Sequence, residues 1–334
     1  MVLTSVPTHQ PVMLHRCVEL LRPRPGGVLV DATLGLGGHA EALLAASEPD
    51  GRVVGLDRDP AALALARERL ARFGERLVAV AASFADLARV SAELGLAAVD
   101  GVMYDLGVSS LQLDEAARGF SYRHDAPLDM RMDPDGRMTA ADVVNTYPRA
   151  ELARVLRDYG EERFAGRIAR FVEAARRRAP VRTTGELVEL VKAAVPAAAR
   201  RGGPHPARRT FQALRIEVNG ELAALRTSLP QAIDLLAPGG RVVALSYHSL
   251  EDRIVKQTFA AAAGRAPAGP PLPVEPPPPR LRLLTRRPET PDQAEVAANP
   301  RAESAKLRAA EKLADPSDTG PAASRRTQTR RGAA

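Results

Sequence analysis

The sequence predicts an α/β fold, in which a parallel sheet is covered by helices on both faces and is interrupted by an all-helical insert. Short apolar segments alternate with helical patterns over the first hundred residues, as in a parallel sheet with helical crossovers. The alternation stops after a strand at 99–105, and the next clear strand begins only at residue 241. One crossover helix does not need so long a connection, so a separate structure is inserted there.

The predicted strands are short and rich in valine and leucine, and two of them end in an aspartate. A Pro-Gly-Gly turn precedes the first strand, and a second one, at 238–240, precedes the last. Such turn residues mark the boundaries of strands. Pro60 stands at the first turn of a helix, where proline is tolerated. The predicted strands are 28–30, 52–57, 77–81, 99–105 and 241–245, and the helices between the first three are 39–46 and 60–73.

Helical patterns fill the insert. In residues 162–178, Phe164, Ile168 and Val172 recur at helical spacing, and arginines occupy most of the remaining positions. This pattern predicts an amphipathic helix with a strongly basic exposed face.

A long amphipathic helix at 210–229 is expected to return the chain to the sheet. Phe211, Leu214 and Ile216 would pack into the core, while Arg215 is expected to turn outward. The return of the chain at this helix sets the end of the insert.

The chain therefore divides into three parts. Residues 1–112 and 205–262 form the sheet domain, and residues 113–204 form the helical insert, which is expected to bind the substrate. Residues 263–334 form a tail with 13 of the 28 prolines and 13 basic against 8 acidic residues. Such a segment cannot bury enough apolar surface to offset its ordering entropy, so the tail is expected to be largely disordered. It is either a solvated appendage or a phosphate-binding arm.

Composition excludes several classes of protein. Cys17 is the single cysteine, so an intrachain disulfide and a cysteine-based metal cluster are excluded. The net charge of the chain is +7. His39 has no second ligand at helical or loop spacing, so we expect no metal site. No apolar run reaches the ~18–20 residues that span a bilayer, and the N-terminus has no secretory signal pattern. We therefore expect a soluble cytoplasmic protein with no membrane partner, and the sequence leaves its oligomeric state open.

Four segments meet at the carboxyl ends of the predicted strands, where open parallel sheets bind ligands. The glycine-rich turn 31–39 lets a backbone approach a ligand, and the following helix offers free N–H groups. Asp57 ends the second strand and can accept both hydroxyls of an adenosine ribose. Phe84 follows the third strand and can pack on adenine. Asp105 ends the fourth strand and provides a polar group where a second substrate could meet the reactive part of the ligand.

The glycine pattern alone leaves the cofactor open. It fits the permissive form of a dinucleotide fingerprint as well as a site for S-adenosylmethionine, and a shared fold does not settle function. Asp105 and the polar residues 246–249 favour S-adenosylmethionine, because they suit a site where the cofactor meets a second substrate. Helix capping, or hydrogen bonding within the turn, remains the alternative role for Asp31 and Asp57.

Several unusual strings give the chain a more specific resemblance. It resembles the bacterial small-subunit (16S) ribosomal RNA cytosine-N4 methyltransferases, the RsmH/MraW family, in blocks that span nearly all of residues 9–259. The blocks are HQPVML at 9–14, DATLGLGGH at 31–39, GLDRDP at 55–60, DLGVSSLQLD at 105–114, RGFS at 118–121, PLDMRMD at 127–133, YGEERFA at 159–165, RTFQALRI at 209–216 and SYHSLEDRIVK at 246–256. The late segment NPRAESAKLR at 299–308 resembles the family's ending. The chain departs from the family at Ala40, where Ser or Thr is frequent, at Tyr247, where Phe is usual, and at Glu303, where a basic residue is common.

The resemblance implies a Rossmann-like class I methyltransferase sheet with an inserted helical domain, and S-adenosylmethionine as cofactor. It implies methylation of the exocyclic N4 amine of a cytidine at the ribosomal decoding centre, with small-subunit RNA or the 30S particle as partner. The implied cofactor-binding residues are Gly37, Gly38, His39, Asp57, Phe84, Asp105 and Gln112.

Asp105 is the candidate catalytic residue. Together with the backbone carbonyls of Leu106 and Gly107, it could accept hydrogen bonds from the cytosine amine, hold it, and localise its lone pair. The arginine-rich stretch 200–209 and the insert could grip phosphates. His248 could contact the substrate or make a structural hydrogen bond. An oxidoreductase, a non-catalytic RNA-binding assembly factor and an amine methyltransferase of DNA remain the alternative functions.

Overall fold

A computed structural model of the protein describes residues 11–201, 203–265 and 278–314. Within these residues the chain forms one seven-stranded sheet, helices on both of its faces and a helical insert. No helix in these ranges is long and apolar enough to cross a membrane. The strands are β1 (Val28–Asp31), β2 (Arg52–Asp57), β3 (Leu77–Ala81), β4 (Val99–Asp105), β5 (Leu236–Ser246), β6 (Leu281–Leu283) and β7 (Lys306–Lys312).

The sheet has the strand order β3-β2-β1-β4-β5-β7-β6. Strands β1 to β5 are parallel, and β7 pairs antiparallel with both β5 and β6. The chain leaves β1 toward β2 and later returns to the other side of β1 as β4, so the switch point lies between β1 and β4. This architecture confirms the predicted α/β class, and all five predicted strands are present.

The helices of the described residues divide between the sheet and the insert. They are α1 (Leu14–Leu21), α2 (Gly38–Ala46), α3 (Pro60–Arg69), α4 (Leu87–Glu93), α5 (Ser110–Asp114), α6 (Ala140–Thr146), α7 (Arg149–Gly160), α8 (Ala165–Arg176), α9 (Thr184–Ala194), α10 (Ala197–Arg200), α11 (Arg208–Asn219), α12 (Glu221–Leu235), α13 (Ser249–Ala262) and α14 (Gln293–Ala298).

Successive side chains of the central strands point to opposite faces of the sheet, which gives the sheet domain two apolar cores. Leu29 and Val53 face a core shared with α1, α2 and α3. Val30 and Val54 face the second core, shared with α4, α12 and α13. Both faces are covered, which explains why these strands read as continuous apolar runs.

The insert has a third apolar core of its own, built from α6 to α9 and completed by α11. Phe211 and Leu214 of α11 lie in this core, so α11 closes the insert. The predicted helix 210–229 is in fact two helices, α11 and α12, because Gly220 adopts φ 60 between them. A left-handed residue ends a helix, and glycine takes that conformation without steric cost.

The prediction of a largely disordered tail is wrong for residues 278–314. Strand β7 covers the edge of β5, and Leu307 and Ala309 on it are 0% exposed. Arg241 of β5 is ion-paired with Glu311 of β7 at 2.9 Å. The apolar residues of this segment are few, but they alternate along a strand and pair with an edge that would otherwise be open. Residues 266–277 and 315–334 of the predicted tail lie outside the described residues.

Candidate active site

A cavity of about 730 Å³ opens at the carboxyl ends of β1, β2, β3 and β4. The insert forms one side of it, through α11, and residues 300–304 of the C-terminal segment form part of another. This volume is in the range of small-molecule sites. The predicted site residues that line the cavity are Gly38, His39, Asp57, Phe84, Asp105 and Gln112.

The glycine-rich turn lies between β1 and α2. Gly35 adopts φ 50 and lines the cavity, and a Cβ placed on it would meet only a backbone oxygen at 3.9 Å. Gly37 is not part of the lining. It adopts φ 78 at the start of α2, and a Cβ placed there would lie 2.8 Å from Leu70 of the segment after α3. Gly35 therefore keeps the turn open to a ligand, whereas Gly37 allows close packing behind it.

Asp57 receives two backbone hydrogen bonds. Gly35 N donates to Oδ2 at 2.8 Å, and Asp59 N donates to Oδ1 at 2.9 Å. Burial raises the pKa of Asp57 above its ordinary value, although both N–H donors oppose that shift. A carboxylate has about four acceptor sites. Two of them remain for hydroxyl groups of a ligand.

Phe84 follows β3 and is half-buried at the cavity wall. Its ring packs edge-on against Tyr104, with ring centroids 6.0 Å apart and an interplanar angle of 82°. The Arg58 guanidinium lies 5.8 Å from the Phe84 centroid and donates to the carbonyl of Asn219 at 2.8 Å. The ring is thus fixed by its neighbours and presents a flat apolar surface to the cavity.

Asp105 is held by two hydrogen bonds and lies close to His39. Tyr247 donates its hydroxyl to Oδ1 at 2.6 Å, and the Asp105 backbone N–H donates to Thr33 Oγ1 at 2.6 Å. His39 Nδ1 lies 3.6 Å from Oδ2. Burial and the nearby Asp105 carboxylate raise the pKa of Tyr247 well above its ordinary value, so it stays a hydrogen-bond donor. Asp105 therefore offers a fixed acceptor surface to the cavity.

The other nitrogen of His39 fixes its tautomer. Nε2 lies 3.1 Å from the carbonyl oxygen of Val12, which can only accept, so Nε2 carries a proton. Asp31 is 1% exposed, and burial raises its pKa to about 6, although nearby His39 opposes that shift. The histidine is thus close to two carboxyl groups, Asp31 and Asp105.

Gln112 lines the cavity, and hydrogen bonds within the protein fix its side chain. Its Oε1 accepts from Ser109 N at 3.1 Å, and its Nε2 donates to Asp59 Oδ2 at 3.0 Å. Asp59 is fully buried and also accepts from Arg118 Nη1 at 3.0 Å. One amide N–H of Gln112 remains for a ligand.

His248 caps a helix. The Glu251 N–H donates to His248 Nδ1 at 3.4 Å at the start of α13, and His248 Nε2 lies 3.1 Å from Glu251 Oε1. Of the two roles expected for His248, the structure shows the structural hydrogen bond.

Arg215 does not turn outward as expected. Its Nε and Nη2 donate to the two carboxylate oxygens of Glu221 at 2.9 and 3.0 Å, and the side chain is 15% exposed at the cavity wall. The helical pattern could not show this, because the kink at Gly220 brings Glu221 back toward α11.

Sequence reasoning also missed the wall made by the C-terminal segment. Arg301 donates to the hydroxyl of Ser110 and, at 2.5 Å, to the carboxylate of Asp114. The available signal was NPRAESAKLR at 299–308, a string similar to the family's ending.

Comparison with known proteins identifies the family of the chain. Residues 7–313 match the profile of the MraW methylase family. The chain belongs to this family. A relative in Thermobifida fusca named ribosomal RNA small subunit methyltransferase H is 58% identical over 317 residues, covering 94% of this chain and 96% of the relative. A relative of the same name in Heliobacterium modesticaldum is 54% identical and covers 91% of this chain and 98% of its own. A crystal structure of an rRNA methylase from Streptococcus thermophilus has 12% identity and a TM-score of 0.39, covering 92% of this chain and 100% of its own.

As a member of the MraW methylase family, the chain is a methyltransferase whose methyl donor is S-adenosylmethionine. The residues that line the cavity fit this cofactor. Gly35 leaves room beside the backbone, Asp57 keeps two acceptor sites, and Phe84 presents a flat ring.

Proposed function

We propose that the chain transfers the methyl group of S-adenosylmethionine to the exocyclic N4 amine of one cytidine of 16S ribosomal RNA at the decoding centre. The relatives named ribosomal RNA small subunit methyltransferase H support the RNA substrate. The observation that carries the amine specificity is the Asp105 carboxylate, an acceptor held by Tyr247 in the same cavity as Asp57 and Phe84. The partner is then the small ribosomal subunit, in the cytoplasm.

S-adenosylmethionine, when bound, supplies an electrophilic methyl group. We assign its binding to the turn at Gly37 and Gly38, to His39, Asp57 and Phe84, and to Asp105 and Gln112. Asp57 would accept from the ribose, and Phe84 would pack on the adenine. Gly37 contributes by shaping the turn, since its own position faces Leu70.

Positioning of the nucleophile is the main catalytic task of the chain. The cytosine amine is a poor nucleophile because its lone pair is delocalised into the ring. Asp105 would accept a hydrogen bond from one amine N–H and so hold the nitrogen in place and localise its lone pair. The Tyr247 hydroxyl fixes the Asp105 carboxylate for this purpose. Deprotonation can follow methyl transfer, so no strong general base is required.

The target base must leave its stack to reach Asp105. Arg123 of the insert and Arg208 at the start of α11 are exposed residues that line the cavity. On α8 and its flanks, the exposed arginines are Arg163, Arg167, Arg170, Arg177 and Arg178. Arginine forks suit phosphate. We therefore assign the RNA-binding surface to the insert.

The test is transfer of labelled methyl to small subunits from a strain that lacks this protein, followed by mapping of the modified base. We expect one labelled cytidine, modified at N4. Label on a ribose, on another base or on large subunits would contradict the proposal. Affinity for the subunits should also fall steeply with salt, because phosphate contacts release counterions. A flat salt response would remove the arginines from the interface.

A further inference from the structure

Arg215 is a half-buried cation in the cavity wall with an unused donor group. Glu221 takes its Nε and Nη2, and Nη2 lies 3.9 Å from Glu251 Oε1. Among the residues that the structure describes, none accepts a hydrogen bond from Nη1, which carries two N–H groups. Water can satisfy a guanidinium N–H at a cavity wall, but a ligand that displaces this water must supply an acceptor or leave the N–H unpaired at a cost in free energy.

The position of Nη1 separates it from Asp57 and Phe84, the residues assigned to the ribose and the adenine of the cofactor. A Cβ placed on Gly107 would lie 3.9 Å from Nη1 and 3.6 Å from the ring of Tyr247. Gly107 follows β4, and Glu251 belongs to α13, which follows β5. Asp57 ends β2 and Phe84 follows β3, and both strands lie on the other side of β1 from β4. Nη1 thus adjoins the part of the cavity beyond Asp105, where the substrate base would enter.

Local charge decides which acceptor Nη1 can receive. The carboxylates of Glu221 and Glu251 flank the single guanidinium, and Asp105 lies on the same cavity. A phosphate or carboxylate would meet these like charges. A neutral carbonyl oxygen or ring nitrogen would not, so this place favours an uncharged acceptor.

We infer that Arg215 reads the target base by donating from Nη1 to the ring acceptors of cytosine, beside the amine held by Asp105. This inference rests on the proposed function and adds a specificity-determining residue to it. The pairing edge of cytosine presents an amine donor next to the N3 and O2 acceptors. An acceptor from Asp105 and a donor from Arg215 match that order. Uracil has an acceptor where cytosine has the amine, and a donor at N3, so it opposes both residues.

The experiment compares binding of two kinds of small subunit, one with the natural target cytidine and one with uridine at that position. Both carry the same phosphates, so the ratio of their dissociation constants isolates the reading of the base. Arg215→Lys keeps the positive charge opposite Glu221 but loses the fork. We expect it to reduce the cytidine-to-uridine preference about tenfold, the size of one base-specific contact. Calorimetry should show the affinity for S-adenosylmethionine unchanged within about twofold.

Arg58→Lys is the matched control, because Arg58 lies against Phe84 on the cofactor side. It should leave the base preference unchanged. If Arg215→Lys does not fold, Glu221→Gln keeps Arg215 and weakens only its anchoring, and it should relax the same preference partly. An unchanged preference in the Arg215 or Glu221 variant, or equal weakening of both subunits, would overturn the inference. Failure of the proposed function would instead show as no N4 methylation of cytidine subunits by the wild-type protein.

Discussion

Replacement of Asp105 by asparagine tests the assignment of the catalytic residue. Asparagine has nearly the same shape, and its Oδ1 can still accept the Tyr247 hydroxyl, which lies 2.6 Å from the carboxylate. The amide nitrogen of asparagine replaces Oδ2, which lies 3.6 Å from His39 Nδ1 in the wild-type protein. The side chain therefore loses its second acceptor oxygen. The variant should therefore fold normally and lose the acceptor for the substrate amine.

The expected loss follows from the strength of one hydrogen bond. A hydrogen bond to a charged group contributes about 1.5–3 kcal/mol. If that bond acts on the reacting amine, kcat should fall about 10- to 150-fold, since each 1.36 kcal/mol corresponds to a factor of ten. Single-turnover transfer of labelled methyl to small subunits measures this loss, and calorimetry measures cofactor affinity separately.

Two results would refute the reasoning. Near wild-type transfer with intact cofactor binding would remove Asp105 from the mechanism. A weaker cofactor affinity with an unchanged single-turnover rate at saturation would make Asp105 a cofactor ligand only. Asp105→Ala serves as the second variant, since it also removes the partner of Tyr247 and should lose at least as much activity.

Three further predictions concern stability. Gly37→Ala should destabilise the fold by about 1–2 kcal/mol or more in urea unfolding, because its φ is 78 and the new Cβ would lie 2.8 Å from a neighbouring side chain. Gly166→Ala, with nothing within 4 Å, should cost nothing. Leu307→Ala should cost about 2–5 kcal/mol at a site that is 0% exposed, whereas Leu94→Ala, 40% exposed, should stay within about 0.5 kcal/mol. Equal losses for these two would contradict the ordered C-terminal strand. Asp31 has a pKa of about 6 against 3.8 for the free group, so the folded state binds its proton more tightly. Stability from this group is full below about pH 4 and falls by up to about 3 kcal/mol as the pH rises through 6. Asp31→Asn should abolish that fall, and parallel pH profiles for the two proteins would refute it.

The periodic parts of the fold could be predicted from the sequence. The strands at 28–31 and 99–105 are apolar on both faces, and the glycine turn and Asp57 follow strands at the expected positions. These signals are local, so no tertiary information was needed. The convergence of Asp57, Phe84 and Asp105 on one cavity followed from the rule for parallel sheets.

The rest depended on contacts between distant residues. The composition of residues 278–314 gave no sign of order, because β7 is stabilised by the edge of β5 rather than by its own propensity. Arg215 faces the cavity wall because it pairs with Glu221, which a kink at Gly220 brings toward it, and the helical pattern around Arg215 does not indicate that kink. Gln112 is used largely inside the protein, since Asp59 and Ser109 occupy most of its amide. None of these pairings has a local signature.

The antiparallel strand Lys306–Lys312 is synthesised late. It pairs with β5 and follows residues 300–304, which complete the cavity wall. Both segments are among the last described residues that a ribosome makes. Domains begin to fold during synthesis, N-terminal parts first. A nascent chain can thus build the first four strands, but its binding cavity stays open on one side. Only a chain whose C-terminal part has left the exit tunnel can close that wall, so a half-made enzyme lacks the finished site.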